Sequence, residues 1–568
     1  MLSTLFGQRA SIGGSGTLRA SSYFVWFKLF VGSLVVAGLL GSGSSAQEFE
    51  TIKIADRYIP ATITLREPKD EQSRLRQQIS ETKARIRDES SRAQDALKNN
   101  TSRNSEFDGF FKEYVFAEMT QTDDSVLSNL GAKREDFFRK YMSSDKSGAN
   151  RQHLIDQIIL PTMQRIADGN FHPAVRLNAV LLIGMTNSAE GNSLANELPT
   201  PNGSAAKYLL SLLSREQLPL YLRVGAITGL HRVAQIEGNL ARLDGADVKQ
   251  LGNYSLALTE GKATGQDAWP RDVNYWLQRR AVQILGFLRN AGPAGEVVGA
   301  LLTVLDNDKN EFYLRLDAVQ ALGQLNYASA GIAKVKASSE SIISFAGSAM
   351  LMQSDKIRSD IEEFIALNLL YDGKYLLKTG SSKGAKKQGD GLKAGMGGAD
   401  GGNEEGGGAG QSQGDAGAPV FDMPNYYINM ERRNCKSYTF ACKTTLAKDG
   451  RLYVLGSDAE KKTIDKALKL LDRVLDKSDV GLVDIALKDK ADGKQDNEKQ
   501  RENISKSSVE NKGPKKSVAF EMIELFAKSG TELKDLVAAN QNRDQFEDKG
   551  GLPQNPPAAD GVDPKSGN

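Results

Sequence analysis

Cysteine and histidine are scarce in this 568-residue chain, which contains 2 Cys and 3 His. Two thiols cannot build the disulfide framework that holds small secreted domains together. If the segment around Cys435 and Cys442 is helical, seven residues of rise separate their Cα atoms by about 10.5 Å, too far for a disulfide. If this segment folds as a hairpin, a bridge becomes possible. We expect two small core residues.

Motifs for catalysis and metal binding are missing as well. His153, His172 and His231 belong to no HExxH motif, and the chain has no CxxC pair. His172 stands before Pro173 in a turn, where a capping role or solvent exposure is expected. The Gly-dense stretch over residues 379–420 lacks the GxxxxGK[ST] phosphate loop. We therefore predict no catalytic residue, no cofactor and no metal site, and a protein that is not an enzyme.

An excess of charge of one sign is also absent. Lys and Arg total 73, Asp and Glu total 71, and the formal net charge is +2. Proteins dedicated to nucleic acid carry a positive field that attracts phosphate, and this chain has no such field overall. We therefore expect no nucleic-acid partner.

Long apolar runs are absent except near the N-terminus. The run within residues 1–46 ends in Ser44-Ser45-Ala46, small residues that suit signal-peptidase cleavage before Gln47. This pattern predicts a signal peptide over residues 1–46 and export to the periplasm or the extracellular space. The alternative is an uncleaved membrane anchor over residues 23–46, although the apolar run from Leu29 to Leu40 is short for a span of about 20 residues.

A repeated helical pattern is what the chain does contain. Residues 314–326 read "LRLDAVQALGQLN", and on a helical wheel their apolar side chains form two faces beside a narrow polar stripe. Because a surface helix needs one apolar stripe, this helix is expected to pack on two sides. The related stretches align on four anchor alanines: Ala179, Ala226, Ala281 and Ala318.

The spacing of these anchors predicts two-helix repeats. Successive anchors are 47, 55 and 37 residues apart, and two-helix repeats have periods of about 40–47 residues. We attribute the longest interval to an insert around Glu237–Asp267. Candidate first helices, in which apolar residues are spaced three and four apart, precede Ala179, Ala226 and Ala318. They span His153–Asp168, Ala205–Ser214 and Ala294–Asp308, respectively.

The stretches "HPAVRLNAVLLIG" and "LRLDAVQALGQL" resemble the HEAT-repeat family over about residues 151–327. The resemblance implies stacked helical hairpins in a curved α-solenoid, with second helices lining the concave side. It also implies that an Arg near the start of each second helix packs between repeats, which assigns Arg176, Arg223 and Arg315. The third repeat departs from the family pattern because it has Gln278 at that position.

If the second helices line a concave wall, eleven side chains are candidates to contact a protein or peptide partner. They were chosen by their offset from the anchor alanines: Asn178, Leu181, Met185, Thr228, Arg232, Arg280, Gln283, Phe287, Asp317, Gln320 and Gln324. Arg232 and Arg280 suit an acidic group, and Phe287 or Met185 suits an apolar one. Alternatively, these residues form a solvated face that packs in part on the insert or on the C-terminal helices.

These features predict an all-α protein, an α-solenoid of stacked hairpins with disordered, low-complexity segments. The predicted segments are a signal peptide or anchor (1–46), a charged, partly disordered segment (47–104), a HEAT-like domain with capping helices (105–378), a Gly-rich flexible linker (379–420), a small helical segment that docks on the solenoid or stands alone (421–487), a charged disordered linker (488–516), short helices (517–540) and a disordered tail (541–568). In the small helical segment, Ser457 and Glu460 have capping-box spacing.

The functional expectation is recognition by a scaffold or adaptor. An exported helical-repeat protein would bind its protein or peptide partner through the concave surface. A membrane-tethered structural protein is the alternative, and a membrane is a partner only if the N-terminal segment stays uncleaved. A third possibility is an enzyme or a chromophore-handling protein like some HEAT-like lyases, which a bound pigment in the purified protein would favour.

Overall fold

The computed structural model describes residues 48–62, 68–143, 148–191, 197–237, 244–370, 425–477 and 518–549. The predicted signal peptide or anchor, the Gly-rich linker and the charged linker lie outside these residues, as does the tail from residue 550. The described chain is all-α, as predicted, except for a small antiparallel sheet of β1 (Asn187–Ala189) and β2 (Thr200–Pro201). It divides between Arg289 and Asn290 into two compact units, the N-terminal unit and the C-terminal unit.

The N-terminal unit contains short helical segments followed by regular helices. Its described helices are α1 (Lys69–Asn99), α2 (Phe107–Gly109, Phe110–Val115 and Phe116–Glu118), α3 (Asp124–Leu127), α4 (Leu130–Phe137 and Phe138–Met142), α5 (Ala149–His153, Leu154–Ile159 and Leu160–Asp168), α6 (Pro173–Met185), α7 (Gly203–Leu213), α8 (Leu220–Glu237), α9 (Gly245–Thr259) and α10 (Arg271–Leu288). One part of α2, α4 and α5 is π-helical, the i→i+5 variant that proteins use in short pieces.

Three helical hairpins stack within this unit. The helices pair as α5 with α6, α7 with α8 and α9 with α10, while α6 packs on α8 and α8 on α10. The anchors Ala179, Ala226 and Ala281 lie on these second helices and are at most 1% exposed. A larger side chain there would overpack two interfaces, which explains why alanine recurs. The prediction of an insert around Glu237–Asp267 was wrong in one respect. Helix α9 lies within this range and is the first helix of the third hairpin.

The contact between α6 and α8 depends on two glycines. A Cβ atom added to Gly184 would lie 2.6 Å from the Cα of Gly229, and one added to Gly229 would lie 2.8 Å from the Cα of Gly184. The two backbones therefore touch at this crossing. In the family pattern a glycine follows the leucine, whereas in the second repeat Gly229 precedes Leu230. The contact with Gly184 gives a physical reason for a glycine at this position.

The three arginines assigned by the family resemblance make the same contact in each hairpin. The guanidinium donates to a carbonyl in the last turn of the preceding first helix: Arg176 to Ala167 (2.9 Å), Arg223 to Leu213 (3.4 Å) and Arg315 to Leu305 (2.8 Å). Those carbonyls have no partner within their own helix. Each guanidinium also lies over an aromatic ring further along the chain. The rings are those of Tyr221 on α8, Trp269 between α9 and α10, and Phe345 on the long helix that follows the fourth hairpin, at 6.0, 5.3 and 5.1 Å.

In the third hairpin, a glutamine side chain donates the hydrogen bond to the end of the first helix. The buried side chain of Gln266 donates to the carbonyl of Leu258, near the end of α9, at 3.0 Å. The same amide group donates to Asn274 Oδ1 at 2.7 Å. Gln266 therefore takes over the capping contact that an arginine makes in the other hairpins, and Gln278 need not supply it.

The predicted capping helices pack over the first hairpin. Aromatic rings of α2 and α4 lie together, with centroids 5.1 Å apart for Phe111 and Tyr141 and 5.2 Å apart for Phe116 and Phe137. These residues share one hydrophobic core with the hairpins, and α4 contacts α6. Within the segment 47–104, predicted to be charged and partly disordered, Lys69–Asn99 form one helix.

The C-terminal unit contains a fourth hairpin and several long helices. Its described helices are α11 (Glu296–Asp306), α12 (Phe312–Gln324), α13 (Ile332–Leu370), α14 (Asn425–Thr445), α15 (Arg451–Leu455), α16 (Asp458–Lys477) and α17 (Val518–Lys549). The anchor Ala318 lies on α12 and is fully buried. The expected short helices at 517–540 are one continuous helix that reaches residue 549, so the predicted tail from 541 begins too early.

The long helices α13 and α17 run antiparallel and touch at glycines. Ser354 donates to the Ile523 carbonyl at 3.1 Å, and a Cβ on Gly347 would lie 2.8 Å from the Gly530 oxygen. Helices α14 and α16 pack against this pair. The predicted capping box opens α16, with Ser457 N donating to Glu460 Oε2 at 2.5 Å and Glu460 N donating to Ser457 Oγ at 3.3 Å.

Candidate binding surface

The candidate residues of the N-terminal unit follow one regular pattern. The positions two and six residues after each anchor alanine are half-buried in all three hairpins: Leu181, Met185, Thr228, Arg232, Gln283 and Phe287. They lie on α6, α8 and α10, the three second helices that pack side by side. We call these six positions the second-helix row. The row carries cationic, amide, hydroxyl and apolar side chains.

A polar and aromatic cluster joins α8 to α10. His231 Nε2 lies 2.8 Å from Gln283 Oε1, and Arg280 Nη1 donates to the same oxygen at 2.9 Å. Because an amide oxygen only accepts, Nε2 carries the imidazole proton. The ring of Phe287 meets the imidazole edge to face at 5.4 Å, and the Arg280 guanidinium lies 5.2 Å from the ring centroid of Trp276.

His231 is neutral in this cluster at physiological pH. Burial, and then the positive charge of Arg280, lower the pKa of His231 to about 3. A protonated ring would place a second cation beside the guanidinium, 3.4 Å away. His231 therefore helps to hold Gln283 and Arg280 in place, although the sequence suggested no role for it.

Arg232 joins α8 to the end of α6. Its guanidinium donates to the Gly184 carbonyl at 3.3 Å and to Asn187 Oδ1 at 2.7 Å. Asn187 also donates to Glu190 Oε2 at 2.8 Å, and Glu190 Oε1 accepts from Arg151 at 2.6 Å. Burial lowers the pKa of Arg232, and the charge of Glu190 opposes this shift.

Two candidates do not face an open surface, which corrects the prediction for them. Asn178 is 4% exposed, because its side chain accepts a hydrogen bond from Arg134 of α4 and lies 3.9 Å from the Met119 sulfur. Asp317 of the C-terminal unit is 6% exposed. The helical wheel gave the side of the helix correctly but could not show that other helices cover it. Arg134 was missed because it lies in a helix that was assigned only a capping role.

The fourth hairpin repeats the row in the C-terminal unit. Gln320 is exposed and Gln324 half-buried, at the same two offsets from Ala318. Helix α14 covers another side of α12, where a Cβ on Gly323 would meet the Thr445 side chain at 2.7 Å. The segment after the Gly-rich stretch therefore packs against this hairpin within the unit.

The remaining histidines have structural partners. His172 caps α6, with its Nδ1 accepting from Ala174 N at 3.2 Å, as expected for the residue before Pro173. His153 Nε2 lies 2.8 Å from Asp108 Oδ1. Within the described residues no three His, Cys, Asp or Glu side chains come together as a metal site.

No family model, curated protein or solved structure matches this chain. Among the helices that the structure describes, none combines the length and the apolar character needed to cross a membrane.

Proposed function

We propose that this chain is an exported, HEAT-like scaffold or adaptor without enzymatic activity, and that it binds a protein or peptide partner along the second-helix row. The observation that carries the proposal is the constant half-burial of two positions in each of three stacked hairpins. Half-buried side chains are held in place by their neighbours and still reach solvent, so a partner meets preorganised groups.

The HEAT-like assignment is supported by the repeated arginine contact. Arg176, Arg223 and Arg315 each close their own hairpin and reach an aromatic ring that comes later in the chain. Such a contact links neighbouring repeats, which is how solenoids gain stability from nearest neighbours.

Site-specific crosslinking tests the binding surface. A photo-crosslinking amino acid is placed at Leu181 or Phe287 of the row, and as a control at Lys249, an exposed residue of α9. In the native host, the row positions should give a discrete adduct with one protein, and position 249 should give none. An adduct from position 249 alone would refute the row as the binding surface.

Export is tested by sequencing the N-terminus of the mature protein. Gln47 as its first residue supports the signal peptide suggested by Ser44-Ser45-Ala46. Recovery of the chain in the membrane fraction with residues 23–46 intact would favour the alternative, a tethered structural protein.

A further inference from the structure

Two arginines, Arg232 of the second-helix row and Arg134 of α4, carry charge that their surroundings do not neutralise. Arg232 donates to a carbonyl and to an amide oxygen, and Arg134 donates to the amide oxygen of Asn178. Both are half-buried. Within the described part of the chain, neither guanidinium is ion-paired with a carboxylate. A charge withdrawn from water is costly unless an opposite charge or a full set of hydrogen bonds compensates it.

The nearest acidic group does not restore the balance around Arg232. Glu190 is hydrogen-bonded to Arg151 at 2.6 Å and to Asn187 at 2.8 Å, and its charge only partly opposes the effect of burial on the pKa of Arg232.

Arg134 is similarly uncompensated. Its Nε is buried and has no hydrogen-bond partner. Burial lowers the pKa of Arg134, with only a partial opposing effect from Glu135, its neighbour in sequence. A guanidinium presents a planar fork of donors, and Arg134 as a whole is only half-buried, so a further oxygen ligand would approach it from the solvent side.

Both groups reach the same helix. Arg134 binds α6 at Asn178 and Arg232 binds it at Gly184, six residues later, which is about 9 Å along the helix axis. On a polyproline II segment, which has three residues per turn and a rise of about 3.1 Å, acidic side chains three residues apart lie on one side about 9 Å apart. The points at which the two arginines contact α6 therefore have an axial spacing that matches an acidic segment of this conformation.

We propose that the partner of the second-helix row is an acidic peptide segment whose carboxylates bind Arg134 and Arg232. This inference rests on the proposed function and specifies its partner class. Each carboxylate would form charge-assisted hydrogen bonds to a partly desolvated guanidinium, where such bonds are stronger than in water.

The test measures fluorescence anisotropy of two labelled peptides with the purified full chain. One peptide carries glutamate at every third position, and the other carries glutamine there. The glutamate peptide should bind about tenfold more tightly or better, since each such contact exceeds 1.4 kcal/mol. Arg134→Gln and Arg232→Gln should each remove about tenfold of that preference, and Lys249→Gln, the matched control on α9, should remove none.

Thermal unfolding separates binding from a structural role. Each Arg→Gln variant should remain folded at the temperature of the binding assay, although Asn178 and Asn187 lose the guanidinium groups that donate to their amide oxygens. Equal binding of the two peptides, or unchanged binding by the folded Arg→Gln variants, would overturn the inference. Tighter binding of inorganic polyphosphate than of the glutamate peptide would also overturn it, in favour of a phosphate ligand.

The crosslinking experiment distinguishes the two proposals. An adduct at positions 181 and 287 without a preference for acidic peptide retains the scaffold and rejects the acidic partner. Absence of any row adduct, with no peptide preference, rejects both.

Discussion

The two units join helices over very different distances along the chain. In the N-terminal unit, Gly184 touches Gly229, a contact between neighbouring repeats. In the C-terminal unit, Gly347 touches Gly530 across most of that unit's sequence. The local geometry is the same, since backbones approach only where no Cβ intervenes. Close helix packing therefore does not depend on a repeat, but only the repeat makes it visible in the sequence.

The difference also concerns how each unit forms. Contacts between adjacent repeats close short loops, whereas pairing α13 with α17 must close a loop of well over 100 residues. The entropy of loop closure grows slowly with loop length, so both arrangements are affordable, but distant contacts form more slowly. We expect the stacked hairpins to fold before the long antiparallel pair.

The largest effect is expected from filling a glycine crossing. Gly184→Leu would force α6 and α8 apart and destabilise the N-terminal unit by about 3 kcal/mol or more. Gly530→Leu should do the same to α13 and α17. Hydrogen exchange read by mass spectrometry would report faster exchange in the unit that carries each substitution.

The matched control for these variants is Gly252→Ala in α9. Its Cβ would meet only the Leu288 Cδ1 atom, at 3.8 Å, so the gain in helix propensity of about 1 kcal/mol should appear as added stability. If Gly184→Leu were as stable as this control, the close contact between α6 and α8 would be disproved.

Removing the buried arginine of the second hairpin comes next in size. Arg223→Ala leaves the Leu213 carbonyl and the Tyr254 hydroxyl (2.6 Å from Nη1) without their donor. We expect a loss of about 2–4 kcal/mol in the free energy of unfolding. Arg315→Ala in the C-terminal unit should cost less, because Arg315 is only half-buried.

The third hairpin supplies the contrast. Gln266→Ala should destabilise it by about 1–2 kcal/mol, because the Leu258 carbonyl keeps only the Gly261 N–H as a donor and Asn274 Oδ1 loses the Gln266 amide. Gln278→Ala should change stability by less than about 0.5 kcal/mol. Chemical denaturation of Arg223→Ala, Gln266→Ala and Gln278→Ala checks this order. A larger effect for Gln278→Ala than for Gln266→Ala would contradict the assignment of the capping contact.

The repeats could be predicted from the sequence because the packing constraint on their helices recurs at similar intervals. An alanine that must fit between two helices recurs at Ala179, Ala226, Ala281 and Ala318, and all four are buried. The first helix of the third hairpin, α9, was not predicted, because its glycines and polar residues weaken the apolar periodicity. The pairing of α13 with α17 leaves no periodic trace, so it could not be read from the sequence.

The candidate surface was predictable to the same extent. The six positions chosen by their offsets from the anchors in the N-terminal unit are half-buried, and their role in binding stays a prediction. The coverage of Asn178 by Arg134 was not predictable, because it depends on where α4 crosses α6. The role of His231 was missed for the same reason, since its partner Gln283 lies 52 residues away.

A smaller difference between the units is expected in how their stability changes with pH. All three histidines belong to the N-terminal unit, and His231 has a folded pKa of about 3 against about 6.5 when unfolded. Below pH 6.5 the unfolded state binds a proton that the folded state does not, so His231 lowers stability as pH falls from 6.5 towards 3.

The measurement is chemical denaturation of the wild type and of His231→Gln at pH 7 and pH 5. The wild type should lose about 2 kcal/mol more than the variant over this interval. Hydrogen exchange should place that loss in the N-terminal unit. Equal losses in the two proteins would show that the imidazole does not titrate as its burial implies.

The smallest effect concerns the cysteines, both of which belong to the C-terminal unit. Cys435 and Cys442 are buried on one helix, α14, with free thiols, as expected for small core residues. Burial raises the pKa of each thiol to about 12, so neither forms the reactive thiolate at neutral pH. Added reductant should leave stability unchanged, and maleimide should label neither thiol in the folded chain and both in denaturant. An unlabelled denatured chain that is two hydrogens lighter would instead reveal a disulfide, which a regular helix at this position cannot accommodate.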